Sequence, residues 1–248
     1  MMFIASFLAC LIAPSVAIAA EEPRFTLELE AGPVWQTRND VQIPNDDTGT
    51  RFALDDVAGS GPFESARITF DWRVRERHSV RFLFAPFSIT ETGALGEDVR
   101  FADASFDTDD PVEARYVFDS WRATYRYRFA TGPKWTWWGG FTAKVRDAEV
   151  RLRQGDTVAR DTDTGFVPLG HLFGERRLGE RWRFLLELDA LAGGPGRAAD
   201  LSLKLAYDVN DRFSLAGGYR TLEGGADTDD VYSFAWLHYA VVSGIVRF

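Results

Sequence analysis

Apolar and polar residues alternate with a period of two along most of the chain after its first twenty residues. Between residues 63 and 75, Ile68 and Phe70 share one face with other apolar residues, while Asp71 and Arg73 share the opposite face. A helix would scatter this pattern around its circumference, whereas a strand keeps the two kinds of residue on opposite faces. The pattern predicts β-strands with one apolar face and one ionic face.

Ten runs of this kind follow one another. We predict strands at residues 25–35, 63–75, 79–89, 113–129, 135–152, 163–173, 182–191, 198–209, 212–221 and 232–248. Several of them reach the roughly 9 to 11 residues with which a tilted strand crosses a bilayer. This predicts an all-β protein built as one closed antiparallel barrel of about ten strands, with eight and twelve as the alternatives.

The connections between these strands alternate in length. Short turns are expected at 76–78, 130–134, 175–181 and 210–211, and longer joins at 38–61, 90–112, 153–162, 193–197 and 222–230. Short turns at one rim and long loops at the other are typical of bacterial outer-membrane barrels, whose turns lie in the periplasm. Aromatic residues gather near both predicted rims, where rings favour lipid headgroups; on the loop side these are Trp35, Phe87, Phe166, Tyr219, Phe234 and Trp236.

Composition narrows the class of protein further. Residues 1–20 contain no charged side chain and end in small residues, which predicts a cleaved secretory signal peptide and a mature barrel domain at 21–248. Cys10 is the only cysteine, so the mature part would have neither disulfides nor thiolate chemistry. The net charge of -9 argues against a nucleic-acid partner. No later segment is apolar enough for a membrane-spanning helix.

The last residues carry the only family resemblance. The chain ends with an apolar strand from Ala240 to the terminal Phe248. In this it resembles the small outer-membrane β-barrel proteins of Gram-negative bacteria, whose closing strand commonly ends in Phe as an assembly signal; Gly244 departs from the hydrophobic residue usual in that strand. The resemblance implies an outer-membrane location and three partners, namely outer-membrane lipid, lipopolysaccharide and the barrel-assembly machinery. The alternative is a soluble secreted barrel that binds a ligand and holds its apolar stripes inside.

If the apolar stripes face lipid, the alternate positions line the lumen, and they are heavily charged. The predicted lumen charge network comprises Glu28, Glu30, Arg67, Asp71, Arg73, Arg75, Arg122, Arg126, Arg128, Lys144, Arg146, Glu187, Asp189, Asp200, Lys204 and Arg220. These groups either pack as ion pairs that fill the lumen or line a narrow porin-like passage for small anionic solutes. The two cases differ in whether Arg73, Arg122 and Arg128 converge on Glu28 and Glu187.

The chain offers few residues for chemistry. Only three histidines are present, and the strand that holds His171 contains no serine to act as a nucleophile. We therefore predict no catalytic residue and a non-enzymatic role in structure, surface interaction or solute passage. A lipid-modifying enzyme similar to lipid A deacylases is the competing class.

The loops carry many acidic residues. Asp-Thr-Asp occurs three times, and Asp107, Asp109, Asp227 and Asp229 are the candidate ligands for a cation such as Ca²⁺. None of these segments has the glycine and distal glutamate of an EF-hand loop, so solvated loop surface is the preferred interpretation. The sequence predicts neither a metal nor a cofactor.

Overall fold

The structure is a computed structural model that describes residues 23–194 and 196–248. The expected signal peptide lies outside the described residues. The elements are β1 Phe25–Gln42, β2 Phe52–Ala53, α1 Leu54–Ala58, β3 Phe63–Arg75, β4 His78–Ala85, β5 Ser88–Gly93, β6 Val99–Phe101, β7 Ala104–Phe106, β8 Val112–Thr131, β9 Trp135–Gln154, β10 Thr157–Arg177, β11 Trp182–Gly193, β12 Gly196–Asp208, β13 Phe213–Asp227 and β14 Tyr232–Arg247.

Ten of these strands form a closed antiparallel barrel. Strands β3, β4, β8 and β9 to β14 follow β1 around the sheet in chain order, and β14 pairs with β1 to close it. At the seam the Phe25 amide donates to the Phe248 carbonyl at 2.8 Å, and the Phe248 amide donates back at 3.0 Å. Strand β5 pairs with β8 beyond the end of β4, and the two-residue strand β2 pairs with β1. The predicted fold class and strand number are confirmed.

Three of the predicted long joins are mostly strand; in the one expected at 193–197, β11 runs to Gly193 and β12 begins at Gly196. Strand β9 ends at Gln154 and β10 begins at Thr157, so the join expected at 153–162 is reduced to a two-residue turn. Likewise β13 runs to Asp227 and β14 begins at Tyr232. Backbone ladder bonds do not require apolar side chains, so the polar ends of these segments stay paired. The barrel wall therefore continues well beyond the apolar band on the loop side.

Large apolar side chains cover the outside of the barrel. Phe141 and Phe166 are 63% and 67% exposed, and Leu29, Phe82 and Val242 are exposed on the same outer surface. A lipid-facing barrel requires this arrangement, and a soluble barrel with an apolar centre would reverse it. No helix among the described residues is long and apolar enough to cross a membrane.

The loop side of the lumen is filled by an apolar core, which we call the loop-side cap. Helix α1 and the β6–β7 hairpin fold into the mouth of the barrel and contribute the buried Leu54, Phe101 and Phe106. The inner faces of the long strands meet them with Val112 and Leu152. Phe101 and Phe52 make an edge contact with ring centroids 5.9 Å apart. Joins that appear polar in sequence therefore contain the apolar residues that plug the loop side of the lumen.

Phe87 is buried in this cap, and its predicted place in the loop-side aromatic girdle is wrong. It has the same parity along the chain as the buried Arg81 and Ala85, whereas Phe82 and Phe84 alternate with them. Because alternate residues of a strand share a face, Phe87 points into the lumen. The sequence shows the same parity, so the inward orientation of Phe87 could be predicted from it.

Candidate functional site: the barrel interior

Below the cap, charged side chains fill the middle of the lumen in what we call the ionic layer. The layer consists of Glu28, Glu30, Arg67, Asp71, Arg81, Arg122, Arg126, His171, Glu187, Asp189, Asp200, Lys204 and Arg220, all buried or half-buried. Some of its ion pairs join neighbouring strands, as Arg81 and Asp71 do, and others cross the lumen, as Arg67 and Asp200 do. Charges removed from water are stable only when they are paired, so the pairing decides whether this layer can exclude water from the lumen.

Asp200 lies at the centre of the layer and contacts three arginines. Its carboxylate lies 2.6 Å from Arg220 Nη1, 2.8 Å from Arg122 Nη2 and 3.2 Å from Arg67 Nη1. Arg220 belongs to the neighbouring strand β13, while Arg67 and Arg122 reach across the lumen from β3 and β8. One carboxylate thus links four strands through the interior.

Three further carboxylates extend this cluster. Glu30 accepts from Arg220 Nε at 3.0 Å and from Lys204 Nζ at 2.9 Å, and Lys204 also pairs with Glu28. Asp189 accepts from Arg122 Nη1 at 2.9 Å. These contacts join the cluster into one continuous network.

A second cluster lies nearer the turn side. Arg81 Nη2 donates to Asp71 Oδ2 at 2.9 Å and also pairs with Glu187, and Arg126 pairs with Asp71 as well. Arg81 is absent from the predicted network although it faces Asp71 directly across the β3–β4 ladder. Its alternation with Phe82 was sufficient to place it inside.

Arg73, Arg122 and Arg128 do not converge on Glu28 and Glu187. Arg122 pairs with acids of β11 and β12, Arg73 bonds the Pro23 carbonyl, and Arg128 lies 3.5 Å from Glu76 at a turn. Arg73 and Arg128, which lie nearest the turns, contact groups at the rim, and other residues form the ion pairs at the centre.

Three other members of the predicted network lie away from its centre. Arg75 is exposed at the β3–β4 turn, beside a register shift between Arg73 and Arg75 that interrupts the alternation there. Arg146 pairs with Asp163 on the neighbouring strand. Lys144 is buried with its Nζ 4.7 Å from the centre of the Phe118 ring, at the boundary with the cap.

His171 is buried in the ionic layer. Its Nδ1 lies 2.7 Å from Asp189 Oδ1, and Thr142 Oγ1 donates to the same oxygen at 2.8 Å. Among the described residues, His171 Nε2 and the buried hydroxyls of Ser202 and Ser243 have no hydrogen-bond partner. The histidine therefore has an orienting acid but is not bonded to either serine as a base would be to its nucleophile.

Within the part of the chain that the structure describes, the other two histidines contact tyrosine and threonine hydroxyls and no serine. His78 Nδ1 is 2.8 Å from the Tyr125 hydroxyl on the turn side. His238 Nε2 is 3.0 Å from the Thr37 hydroxyl near the loop side. Both contacts fasten neighbouring strands together.

A wide cavity, which we call the turn-side cavity, opens between the ionic layer and the short turns. Its volume is about 1170 Å³. Twelve cationic side chains line it among the described residues: Arg24, Arg73, Arg77, Arg81, Arg126, Arg128, Arg177, Arg181, Arg183, Lys204, Arg212 and Arg247. Eight acidic side chains of the described residues also line it: Glu28, Asp71, Glu76, Glu175, Glu180, Glu187, Asp208 and Asp211. Trp138, Phe173, Leu185 and Ile245 add apolar surface.

Polar contacts fasten the cap to the wall. Asp55 of α1 accepts the backbone amide of Asn39 at 2.9 Å, and Asn39 Nδ2 donates to Gln36 Oε1 at 3.1 Å. Burial raises the pKa of Asp55, and the nearby Asp56 and Asp40 carboxylates act in the same direction. Helix α1 is thereby tied to strand β1.

Two of the four candidate metal ligands accept hydrogen bonds within the loops. Asp107 Oδ1 accepts from the Asp109 amide and from Gln154, both at 3.1 Å, and Asp227 Oδ1 accepts from Asn45 at 2.9 Å. Asp229 is exposed. Within residues 23–194 and 196–248, no group of three or more histidine, cysteine or acidic residues is placed to hold a metal ion.

Comparison with known proteins finds solved structures that are similar to this chain. No protein-family model matches the chain, and no curated protein matches it. The outer-membrane protease OmpT from Escherichia coli matches with a TM-score of 0.54 and 7% identity, over 90% of this chain and 96% of that chain. Neisserial surface protein A matches with a TM-score of 0.37 and 12% identity, over 90% and 97% of the two chains. The Yersinia pestis attachment invasion locus protein Ail matches with a TM-score of 0.37 and 10% identity, over 89% and 99%.

These likenesses bear on fold and not on activity. The match to OmpT extends over nearly the whole barrel, but its 7% identity carries nothing about proteolysis, and the two scores of 0.37 support no inference about this chain. Closure of ten antiparallel strands, the outward apolar band and the match to OmpT all agree on the fold. The chain therefore resembles, at the level of the superfamily, the outer-membrane β-barrel proteins.

Proposed function

We propose that this protein is a closed, non-enzymatic barrel of the Gram-negative outer membrane, with a role in envelope structure or surface interaction. The short turns would face the periplasm and the cap would face the outside, as is usual for such barrels. The exposed apolar band and the fold support this placement. Lipopolysaccharide would surround the loop-side rim.

The observation that carries the proposal is the double seal of the lumen. Leu54, Phe101 and Phe106 are almost completely buried inside the barrel on the loop side. Beneath them Asp200 and its arginines occupy the middle of the lumen. Ion conduction requires a continuous wet path, and an apolar plug above a paired ionic layer opposes one. Of the two uses of the interior charges, packing is therefore favoured over solute passage.

The geometry does not favour the lipid-modifying alternative. An enzyme acting on lipid A must reach the outer leaflet, but His171 lies buried in the ionic layer beneath the cap. Its Nε2 meets no nucleophilic hydroxyl among the described residues. A general base has to lie within hydrogen-bond reach of the proton that it removes.

Conductance in planar lipid bilayers tests the closed barrel. We expect the purified protein to insert without a steady current. A variant in which residues 99–106 are replaced by a Gly-Ser linker removes Phe101 and Phe106 from the cap and should conduct more than the wild type. A variant with the linker in place of the exposed turn residues 178–181 is the matched control and should behave as the wild type. A steady, ion-selective current through the wild-type protein would contradict the proposal.

Mass spectrometry of lipid A tests the absence of enzymatic activity. We expect identical acylation in cells that produce the protein and in cells that lack it. A shift in the lipid A mass that disappears in the variant His171→Gln would instead establish the enzyme.

A further inference from the structure

The turn-side cavity has more positive than negative side chains. Twelve cationic and eight acidic side chains line it among the described residues. The chain as a whole has the opposite sign, with a net charge of -9. A cleft with walls of low dielectric constant focuses the potential of its lining, so this cavity attracts anions.

The inner end of the cavity carries unused hydrogen-bonding groups. Arg126 lines the cavity, is only 7% exposed and uses one nitrogen to pair with Asp71. Its Nε and Nη1 are buried without a hydrogen-bond partner among the described residues, and the same is true of Oγ of Ser202, a residue that also lines the cavity. Buried donors without partners are costly, so an oxyanion that accepts from them would be stabilised.

Aromatic surface lies next to Arg126. The rings of Trp138 and Phe173 have centroids 5.1 Å apart, and both line the cavity. The Arg126 guanidinium carbon lies 5.1 Å from the Phe173 centroid, so the same residue borders the apolar and the anionic parts. A flat ring can stack on such a surface while its charged substituent reaches the arginine.

We propose that the turn-side cavity binds a small amphipathic anion that combines a phosphate or carboxylate group with a flat apolar group. Arg126 and Ser202 would accommodate the oxyanion, and Trp138 and Phe173 would contact the ring. The cavity of about 1170 Å³ is slightly larger than the roughly 300–1,000 Å³ usual for small-molecule sites. The inference rests on the proposed function only for the side of entry, which would be the periplasm.

Titration calorimetry with the purified protein in phosphatidylcholine nanodiscs tests this inference, with empty nanodiscs as the blank. The probes are 2-naphthyl phosphate, inorganic phosphate and 2-naphthol. We expect saturable one-to-one binding of 2-naphthyl phosphate, and binding about tenfold weaker or more for each of the other two. Equal affinity for inorganic phosphate would refute the aromatic contact, and equal affinity for 2-naphthol would refute the anion contact.

Two variants and one control locate the site. Arg126→Gln and Phe173→Leu should each weaken binding of 2-naphthyl phosphate by about tenfold. The second variant keeps every ion pair, so it remains informative if the first fails to fold. Arg160→Gln, on the exposed loop side, should bind as the wild type.

Unchanged affinity in both cavity variants, or no saturable binding by the wild type, would overturn the inference. A steady current in planar bilayers would contradict the closed barrel while leaving these binding results in place. The two proposals therefore fail separately.

Discussion

Replacement of Asp200 by asparagine tests whether the ionic layer is a packed core or a solvated channel lining. Asp200 is 4% exposed and lies within 3.2 Å of three guanidinium groups. Asparagine has nearly the same volume and keeps one carbonyl acceptor. The change therefore removes charge from the centre of the lumen and leaves its shape almost unaltered.

The expected loss follows from the contacts that remain. Removing one partner of a buried ion pair costs about 3–5 kcal/mol, because the other charge stays buried without compensation. Glu30 still contacts Arg220, and Asp189 still contacts Arg122, so part of the compensation survives. We therefore expect a loss near the lower end, about 3 kcal/mol of the free energy of unfolding.

Urea unfolding of the folded barrel in lipid vesicles, followed by tryptophan fluorescence, measures this loss. The control is Glu223→Gln, which breaks the ion pair of Glu223 with Arg197 near the loop-side rim, where the side chains are 23% and 50% exposed. Exposed pairs contribute about 1 kcal/mol or less, so the control should lose little. If Asp200→Asn loses no more than the control, water must solvate the layer, and the argument for a sealed lumen fails.

Three further perturbations test other parts of the structure. Phe101→Ala should cost about 3–5 kcal/mol in the same urea assay because Phe101 is fully buried in the cap, whereas Phe166→Ala on the lipid-facing surface should cost less. Because the pKa of Asp55 is raised in the fold, its contribution to stability is complete below about pH 4 and declines as the pH rises through the folded-state pKa. Hydrogen exchange should therefore show α1 better protected at pH 4 than at pH 7. In Asp55→Asn, equal protection of α1 at the two pH values would confirm that Asp55 is the cause. Gly140→Ala drives a methyl group into a backbone carbonyl of the neighbouring strand and should reduce the yield of folded barrel, while Gly217→Ala, which meets only an ordinary contact at 3.6 Å, should fold normally.

The alternation of residues was enough to predict the barrel. It placed ten strands and separated an apolar face from a charged one, because the side-chain direction along a strand is a local property of the chain. Strand length, the alternation of short and long joins and the aromatic residues near the rims then indicated that the apolar face is the outer one. The buried positions of Arg81 and Phe87 followed from the same parity. The exposed position of Arg75 did not follow from parity, since the β-bulge beside it depends on the register with the next strand.

The identity of the ion pairs was beyond the reach of sequence. Arg67 and Asp200 are 133 residues apart, and they meet because closure brings β3 and β12 to opposite sides of one lumen at the same height. The cap was hidden for a related reason: Leu54 and Phe101 lie in joins with mostly polar composition, and only the closed wall gives those joins an interior to fill. Local alternation thus determined the wall of this protein, whereas the contents of its lumen depend on distances across the barrel, which exist only after the strands have closed.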